Sequence, residues 1–583
     1  LTSGARRHQH KVPKISNRSR KRGGKTAKGL VISEQEAIGC MKTRPKPYQR
    51  SAIKELVAEL AAGKDAALWL PTGTGKTYVY LPVAIAAVNK GYRASILVAT
   101  NLLMGQMGQK YLPNFRTTIK PYYAKGVEHY NCLLTKDSAD YGICTPEQRE
   151  LCQVENHHCM VLHTNRQLGE YAFIVTNFHK FLSVPTQEHF DLVVIDDSHG
   201  FENAVDDKFQ TRMTYYQVDE FYRRHEQLND SVSDFAGVFL DLFDSVLGAI
   251  PPSLYARRIP DDDVKRIAEI KEYDELWDQM RNLEEVDRRT CRGLLYFVRS
   301  CRNATLNTFY VQKDYYSPND PHDSVLVARK SETFQSNVIR SIFGESRVLF
   351  VSATPGEIAT HASYCTRREY AANTISTIPK VQPRAVRDWF KGLRIFETQD
   401  FPEKGEDSIE KGAQISAQML AGVPGKALLL FKNYRDQRRA ENVLKKAVNR
   451  EITFIDDSFE TETVQDLVEK ADIIMATASS RLWEGIDISD LKLEIIFSLP
   501  FIRPPIHLEQ HESFLFSKRK MLIRLQQGIG RLVRKEGGLG VCVVLDRRLD
   551  KYKNSSNFSD AFRQQIRSTS IARINQTVKR VLR

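Results

Sequence analysis

The sequence has no run of 18 apolar residues, so nothing in it is expected to cross a membrane. It has no CxxC pair, and its nine cysteines are odd in number and scattered over 583 residues. That usage excludes a disulfide scaffold and points to a reducing, cytoplasmic setting. No apolar stretch follows the charged first residues, so they do not read as a secretion signal. No repeat of solenoid period is visible. Acidic residues are missing only locally: none precedes Glu34 and none follows Asp560. Those acid-free ends carry ten Lys or Arg in residues 1–33 and six in residues 561–583 (Arg563, Arg567, Arg573, Lys579, Arg580, Arg583). The net charge of +14 therefore sits on the two ends, and the middle of the chain is close to neutral. Such ends are expected to be arms that neutralise phosphates or, more blandly, solvated tails.

What is present is a globular composition, 42% hydrophobic and 27% charged, on a chain long enough for three or four domains. Its organising stretch is AALWLPTGTGKT, residues 66–77. Ala66 to Leu70 reads as a buried strand, Pro71 to Gly75 as a tight turn, and Lys76-Thr77 as the start of a helix whose apolar run ends at Gly91. Strand, glycine turn and helix make a phosphate-binding loop. Gly73 and Gly75 let backbone N–H groups, including that of Thr74, face phosphate oxygens. Lys76 is expected to reach the β- and γ-phosphates of ATP, and the Thr77 hydroxyl to hold Mg²⁺. The usual pattern has glycine at position 70, where this chain has Leu70.

Further along, DLVVIDDSHG predicts a buried strand, Leu192 to Ile195, ending in Asp196-Asp197-Ser198-His199. Carboxylates at a strand's C-terminal end beyond a phosphate loop suit a Mg²⁺ ligand and a base for the attacking water. A strand merely capped by acids would look the same in isolation. Before that strand, residues 120–169 are rich in tyrosine and cysteine and weakly periodic, which suggests a small inserted domain. Cys132, Cys144, Cys152 and Cys159 there are separated by 11, 7 and 6 residues. Four thiols so close suit a metal or cluster, although without a CxxC pair the zinc reading is weak. After it, residues 206–340 show helical periodicity and dense i,i+4 opposite charges, and predict a mostly helical insert. Strands then return with Arg347 to Val351, and again beyond residue 376 at Ala427 to Phe431, Ile473 to Thr477, Glu494 to Leu499 and Val541 to Leu545.

PTGTGKT, DDSH, SATP, LWEGID and QQGIGRLVR occur in the order of a superfamily 2 helicase, and the chain from about residue 44 to 550 resembles the DinG/XPD branch. The resemblance implies an α/β fold of two RecA-like P-loop domains, with an inserted cysteine-bearing domain (iron–sulfur or vestigial) and an inserted helical arch. The expected division is 1–43 basic extension; 44–119, 170–205 and 341–375 first RecA-like domain; 120–169 cysteine domain; 206–340 arch; 376–583 second RecA-like domain with a basic C-terminal tail. It implies that Gln49 reads adenine, that Gly73, Gly75, Lys76 and Thr77 form the phosphate loop, and that Asp196 holds Mg²⁺. Asp197 stands where the family has a glutamate base, with His199 completing the catalytic motif. Glu484, Gly485 and Asp487 match the segment coupling nucleotide to strand binding, and Gln527, Gly530, Arg531 and Arg534 the one supplying guanidinium groups across the cleft. The four cysteines match the place of a [4Fe–4S] cluster, but their spacing departs from the family's, so cluster and vestigial domain both stay open.

The implied activity is an ATP-dependent 5′–3′ DNA helicase that binds single-stranded and duplex DNA and unwinds duplexes and RNA/DNA hybrids as a monomer. The length and basic extension resemble DinG-like helicases of type IV CRISPR systems, which implies a CRISPR ribonucleoprotein as partner. A chromosomal repair helicase with an intact cluster, and a nucleic-acid-binding scaffold with a decayed ATPase, are the alternatives.

Overall fold

The computed structural model describes residues 29–126, 130, 168, 170–183, 189–226, 231–251, 254, 256–313, 321–353, 358–367, 380–381, 389–401, 407–455, 461–477, 488–502, 510–533, 537–555 and 558–582. The four clustered cysteines and Glu484, Gly485, Asp487 and Arg534 lie outside these residues.

The chain enters order through a short helix, Glu34–Gly39, closed by a capping box in which Ser33 and Glu36 bond each other's backbone N–H. Leu30, Ile32 and Ala37 are buried with it. Residues 29–43 are therefore part of the fold, which corrects the expectation of a loose extension up to residue 43. The next helix starts at Pro47, because proline at its first position has a fixed φ and no N–H to satisfy. It buries Ile53, Leu56, Val57 and Leu60 and runs to Ala61.

Five strands of the first sheet follow: β1 Ala66–Trp69, β2 Ala94–Val98, β3 Tyr122–Ala124, β4 Phe173–Asn177 and β5 Leu192–Ile195. The chain then departs into a separate four-stranded antiparallel sheet: β6 Gln210–Thr214, β7 Ala256–Arg258, β8 Asn307–Gln312 and β9 Val325–Lys330, in order β6-β9-β8-β7. Long helices pack on it, among them Ser231–Gly248 and Glu285–Arg302, around a core of their own with Phe221, Phe239, Phe243, Phe297 and Phe309. Helices make up most of the insert's described residues, and the four-stranded sheet on which they pack is what the helical periodicity did not announce. Helix Glu332–Phe343 buries Ile339, Ile342 and Phe343 in the core under the first sheet, not in that of the insert.

β10 Arg347–Ser352 and β11 Lys380–Val381 complete the first sheet, whose order is β11-β1-β10-β5-β2-β4-β3 with every pairing parallel. β1, β2, β4, β5 and β10 are almost wholly buried, as strands covered on both faces must be. The order matters for chemistry. β10 lies between β1 and β5, so Ser352-Ala353 emerges between the phosphate loop and Asp196.

The second domain is another all-parallel sheet, of β12 Leu393–Thr398, β13 Lys426–Phe431, β14 Ile452–Ile455, β15 Ile473–Thr477, β16 Leu491–Ile496, β17 Gly540–Val544 and β18 Ile566–Thr569. Their order is β14-β15-β13-β16-β17-β12-β18. The C-terminal residues are not a tail. β18 pairs with β12, and helix Ile571–Leu582 buries Ile574, Val578 and Leu582 in the core of this domain. Those apolar residues recur every fourth position, which offsets the helix's charge. Among the described residues no helix is long and apolar enough to span a membrane.

Candidate active site

The phosphate loop is held from behind. Gly73 and Gly75 have φ of 81° and 80°, values that L side chains rarely adopt, and a Cβ on Gly75 would stand 2.9 Å from Gln49 Nε2. Thr74, itself buried, bonds through its hydroxyl to the Pro71 carbonyl at 2.7 Å. Its own carbonyl accepts from the Tyr48 hydroxyl at 2.8 Å and from Gln49 Nε2 at 3.2 Å. Gln49, expected at the adenine, thus has one N–H on the loop and its Oε1 on the Lys46 N–H at 3.0 Å, which leaves one N–H for a base.

Across the loop stand the carboxylates that end β5. Lys76 Nζ lies 3.2 Å from Asp197 Oδ1, and the Tyr80 hydroxyl donates to Asp196 Oδ2 at 2.7 Å. Tyr80 comes from the helix Thr77–Asn89 that the loop opens. Asp197 is left-handed, with φ of 47°, a conformation that aspartate tolerates better than most residues and that costs of order 1–3 kcal/mol. Burial and the neighbouring Asp197 charge raise Asp196 to about 6, against the pull of Lys76 and Tyr80. Burial also pushes Asp197 up, but Lys76, His199 and Arg531 outweigh it, and the net shift is downward. A half-buried carboxylate that resists ionisation next to a hydroxyl-bearing loop is a donor set short of positive charge. Thr77 and Asp196 therefore fit a hard divalent cation.

His199 Nδ1 lies 3.5 Å from Ser352 Oγ, and Trp69 Nε1 donates to the Ala353 carbonyl, which ties Ser352-Ala353 to the ends of β5 and β1. The second domain closes against this side. Helix Gln510–Gly530 ends so close to the loop that a Cβ on Gly530 would lie 2.8 Å from Thr72 Oγ1. Arg531 follows, buried, near enough for its charge to lower Asp197 and to act on Glu494 of β16. Gln527 is buried with no bond to its Oε1 among the described residues.

Sequence reading missed a buried cluster that joins the two domains. Glu202, two residues after the glycine of DDSHG, meets His361 Nδ1 at 2.6 Å, Lys520 Nζ at 2.5 Å and Arg519 Nη2 at 3.2 Å. Lys520 Nζ also donates to the His199 carbonyl at 3.2 Å. Burial would raise Glu202, but the Lys520 and His361 charges and the His361 hydrogen bond hold it well below the usual carboxylate range. Local sequence gives no sign of the cluster, because Glu202's nearest partner in the chain, His361, is 159 residues away.

Two family models match the chain: "Type III restriction enzyme, res subunit" over residues 42–229 and "Helicase C-terminal domain" over residues 416–565. A Methanocaldococcus jannaschii protein named "Probable ATP-dependent helicase MJ0942" is 21% identical over 584 residues, covering 82% of this chain and 88% of its own. "ATP-dependent helicase DinG" of Mycobacterium tuberculosis is 27% identical over 164 residues, 25% of this chain and 24% of that protein. Among solved structures, "XPD_Helicase" superposes with a TM-score of 0.62 at 13% identity, covering 91% of this chain and 100% of that one. "Structure of S. tokodaii Xpd4" does so with a TM-score of 0.52 at 12% identity, covering 90% and 100%.

Proposed function

From the premise that this chain is a superfamily 2 helicase of the DinG/XPD type, an ATP-hydrolysing enzyme, we propose that it is a 5′–3′ motor on single-stranded DNA. In this reading it acts as a cytoplasmic monomer, unwinds duplexes and RNA/DNA hybrids, and is recruited to a type IV CRISPR ribonucleoprotein. The insert of residues 206–340 takes the place of the arch. The observation that carries the motor assignment is the Lys76–Asp197 ion pair, 3.2 Å long, beneath a loop that the second domain touches at Gly530. It leaves little room for the scaffold alternative, because a decayed ATPase would not need to keep these groups together.

In the hydrolysis step, water attacks the γ-phosphorus, Asp197 accepts its proton, and the bond from the γ-phosphorus to the β–γ bridging oxygen breaks. ATP's phosphates compete for Lys76. When they take it, Asp197 loses its nearest cation and becomes more basic as the water arrives. Thr77 and Asp196 would hold Mg²⁺, which would neutralise charge on the phosphate oxygens. Arg531, with Arg534, supplies guanidinium charge from the second domain, an effect worth roughly 10³–10⁵ in rate. Because this charge arrives only when the domains close, each turnover drives a closure, and Glu484, Gly485 and Asp487 couple it to the strand.

Lys76→Ala should abolish ATP hydrolysis and unwinding while strand binding persists. Unwinding at the parental rate would refute the motor. The cysteine domain holds either a [4Fe–4S] cluster on Cys132, Cys144, Cys152 and Cys159 or no metal. Iron content of anaerobically purified protein decides, with about four atoms per chain expected for the cluster.

A further inference from the structure

The charge at the C-terminal end is arranged, not scattered. β18 and the last helix, Ile571–Leu582, border a cavity of about 530 Å³ lined by Arg567, Arg573 and Arg580. On the helix, Arg573, Gln576, Thr577 and Arg580 fall at i, i+3, i+4 and i+7, one stripe, while Ile574, Val578 and Leu582 face the core from the other side. Arg567 comes from β18, the edge strand, so two elements aim guanidinium groups into the same space. Thr569 and Thr577 add hydroxyls.

None of these three arginines has an ion-pair or hydrogen-bond partner for its side chain among the described residues, although arginines nearby do. Arg563 pairs with Asp560, and Arg548 with Asp546 at 2.6 Å. The two carboxylates close to the cavity are already engaged. Glu397, buried, accepts from Ser568 Oγ at 2.5 Å and lies 3.6 Å from Lys553 Nζ, and Asp400 Oδ1 caps the Ile571 N–H at 2.8 Å. Three unpaired guanidinium groups and two hydroxyls around one cavity form a site for anionic oxygens, and guanidinium forks match phosphate best.

We propose that this cavity is a second nucleic-acid grip, which takes successive backbone phosphates of a single strand outside the ATP cleft. None of its lining residues belongs to the phosphate loop, DDSH or QQGIGR segments. Arg573 and Arg580 stand seven positions apart on the helix, about 10 Å along the axis. That length exceeds one phosphate group and selects a strand over free inorganic phosphate. A grip on the outer edge of the second domain would keep the strand attached while the domains open between turnovers. The proposal rests on nucleic-acid binding but not on the hydrolytic roles assigned above.

The test is binding of a fluorescent single-stranded oligonucleotide without nucleotide, over a range of salt. The protein is the full chain carrying Arg567→Gln, Arg573→Gln and Arg580→Gln together. A control carries Arg439→Gln, Lys445→Gln and Lys492→Gln, which remove the same charge from cations paired with Glu410, Glu441 and Asp490. The slope of log K against log salt should shrink by roughly 0.7 for each phosphate no longer neutralised, so by up to about 2 in the triple variant, and should hold in the control. Intrinsic ATPase without nucleic acid should be unchanged, and more strand should be needed for half-maximal stimulation. An unchanged slope, an equal fall in the control, or displacement of the oligonucleotide by inorganic phosphate at equal phosphate concentration would each overturn the proposal. Failure here would leave the Lys76→Ala result untouched, so the two readings stand or fall separately.

Discussion

Asp197 is one methylene shorter than the glutamate that the resemblance puts at its position, and the backbone answers part of that deficit. Its left-handed φ of 47° and its pairing with Lys76 hold the carboxylate over the phosphate loop. Asp197→Asn should remove turnover while leaving nucleotide affinity within a few-fold, since Lys76 and Asp196 still meet the phosphates and the cation. Single-turnover hydrolysis with nucleotide-binding measurements checks this, and normal hydrolysis would move the base elsewhere. The loop glycines, Lys76, Asp196 and Asp197 were legible because their spacing is itself the chemistry. Tyr80, which holds Asp196, was not, because on a helix buried almost all round it reads as one more core residue. Glu494 was equally hidden. It is wholly buried in β16 with no hydrogen bond to either oxygen among the described residues, and burial raises it to about 8 against the pull of Arg531. A carboxyl raised from 4.5 in this way stays protonated in the folded state while the unfolded chain ionises. Its contribution is therefore full below about pH 4.5 and is lost as pH rises through about 8, each tenfold change in proton affinity being worth about 1.4 kcal/mol. Glu494→Gln should flatten the fall of the thermal midpoint between about pH 5 and pH 8. A variant that loses stability in parallel with the parent over that range would contradict the assignment.

The helix Gln510–Gly530 carries second-domain groups to the first domain at two levels. Its end abuts Thr72, and about three helical turns earlier Arg519 and Lys520 meet Glu202. A buried carboxylate that collects cations from the other domain is a docking contact, and removing one partner of a buried pair typically costs about 3–5 kcal/mol. Glu202→Gln keeps the shape and removes the charge. It should weaken closure, so strand-stimulated kcat should fall about tenfold or more, since about 1.4 kcal/mol is already tenfold. ATP binding to the first domain should be nearly unchanged. A fall in ATP affinity with an unchanged kcat would instead place Glu202 in the nucleotide site. This cluster was illegible because it depends on pairing Glu202 with residues 361, 519 and 520. Elements made of continuous apolar runs were read well, as with β5 and β15, which begin and end where the sequence puts them. Elements with mixed composition were not: β12, LRIFET, has its apolar residues interrupted by Arg394 and Glu397, and β6, QTRMT, is largely polar because it is an edge. An inner strand and an edge strand both escape a search for apolar runs, for opposite reasons of burial.

At the scale of the whole molecule the acid-free ends have different fates. The C-terminal one is folded into the second sheet, and the described part of the N-terminal one begins at Gly29. From there on the chain is structural: Leu30 and Ile32 are buried, Glu34 pairs with Arg50 at 2.6 Å, and Glu36 with Lys90 at 2.8 Å. Residues 1–28 carry all ten cations of the stretch. Two truncations then separate charge from fold. Removing residues 1–28 should leave the thermal midpoint and strand-saturated ATPase unchanged, because the core from Leu30 onward is intact. If those cations meet nucleic acid, it should also flatten the salt dependence of binding by roughly 0.7–0.9 for each phosphate they neutralise. Removing residues 1–43 takes one further cation, Lys42, with its bond to the Pro113 carbonyl, yet it strips Leu30, Ile32, Ala37, Cys40 and Met41 from the core. At about 1.5–3 kcal/mol for each large apolar side chain, that loss rivals the net stability of a domain. The longer truncation should therefore fail as a folded protein, with a large fall in the thermal midpoint, where the shorter one fails only in binding. Equal stability of the two would mean that Leu30 and Ile32 do not belong to the core. An unchanged salt slope after the shorter cut would leave residues 1–28 outside the nucleic-acid interface.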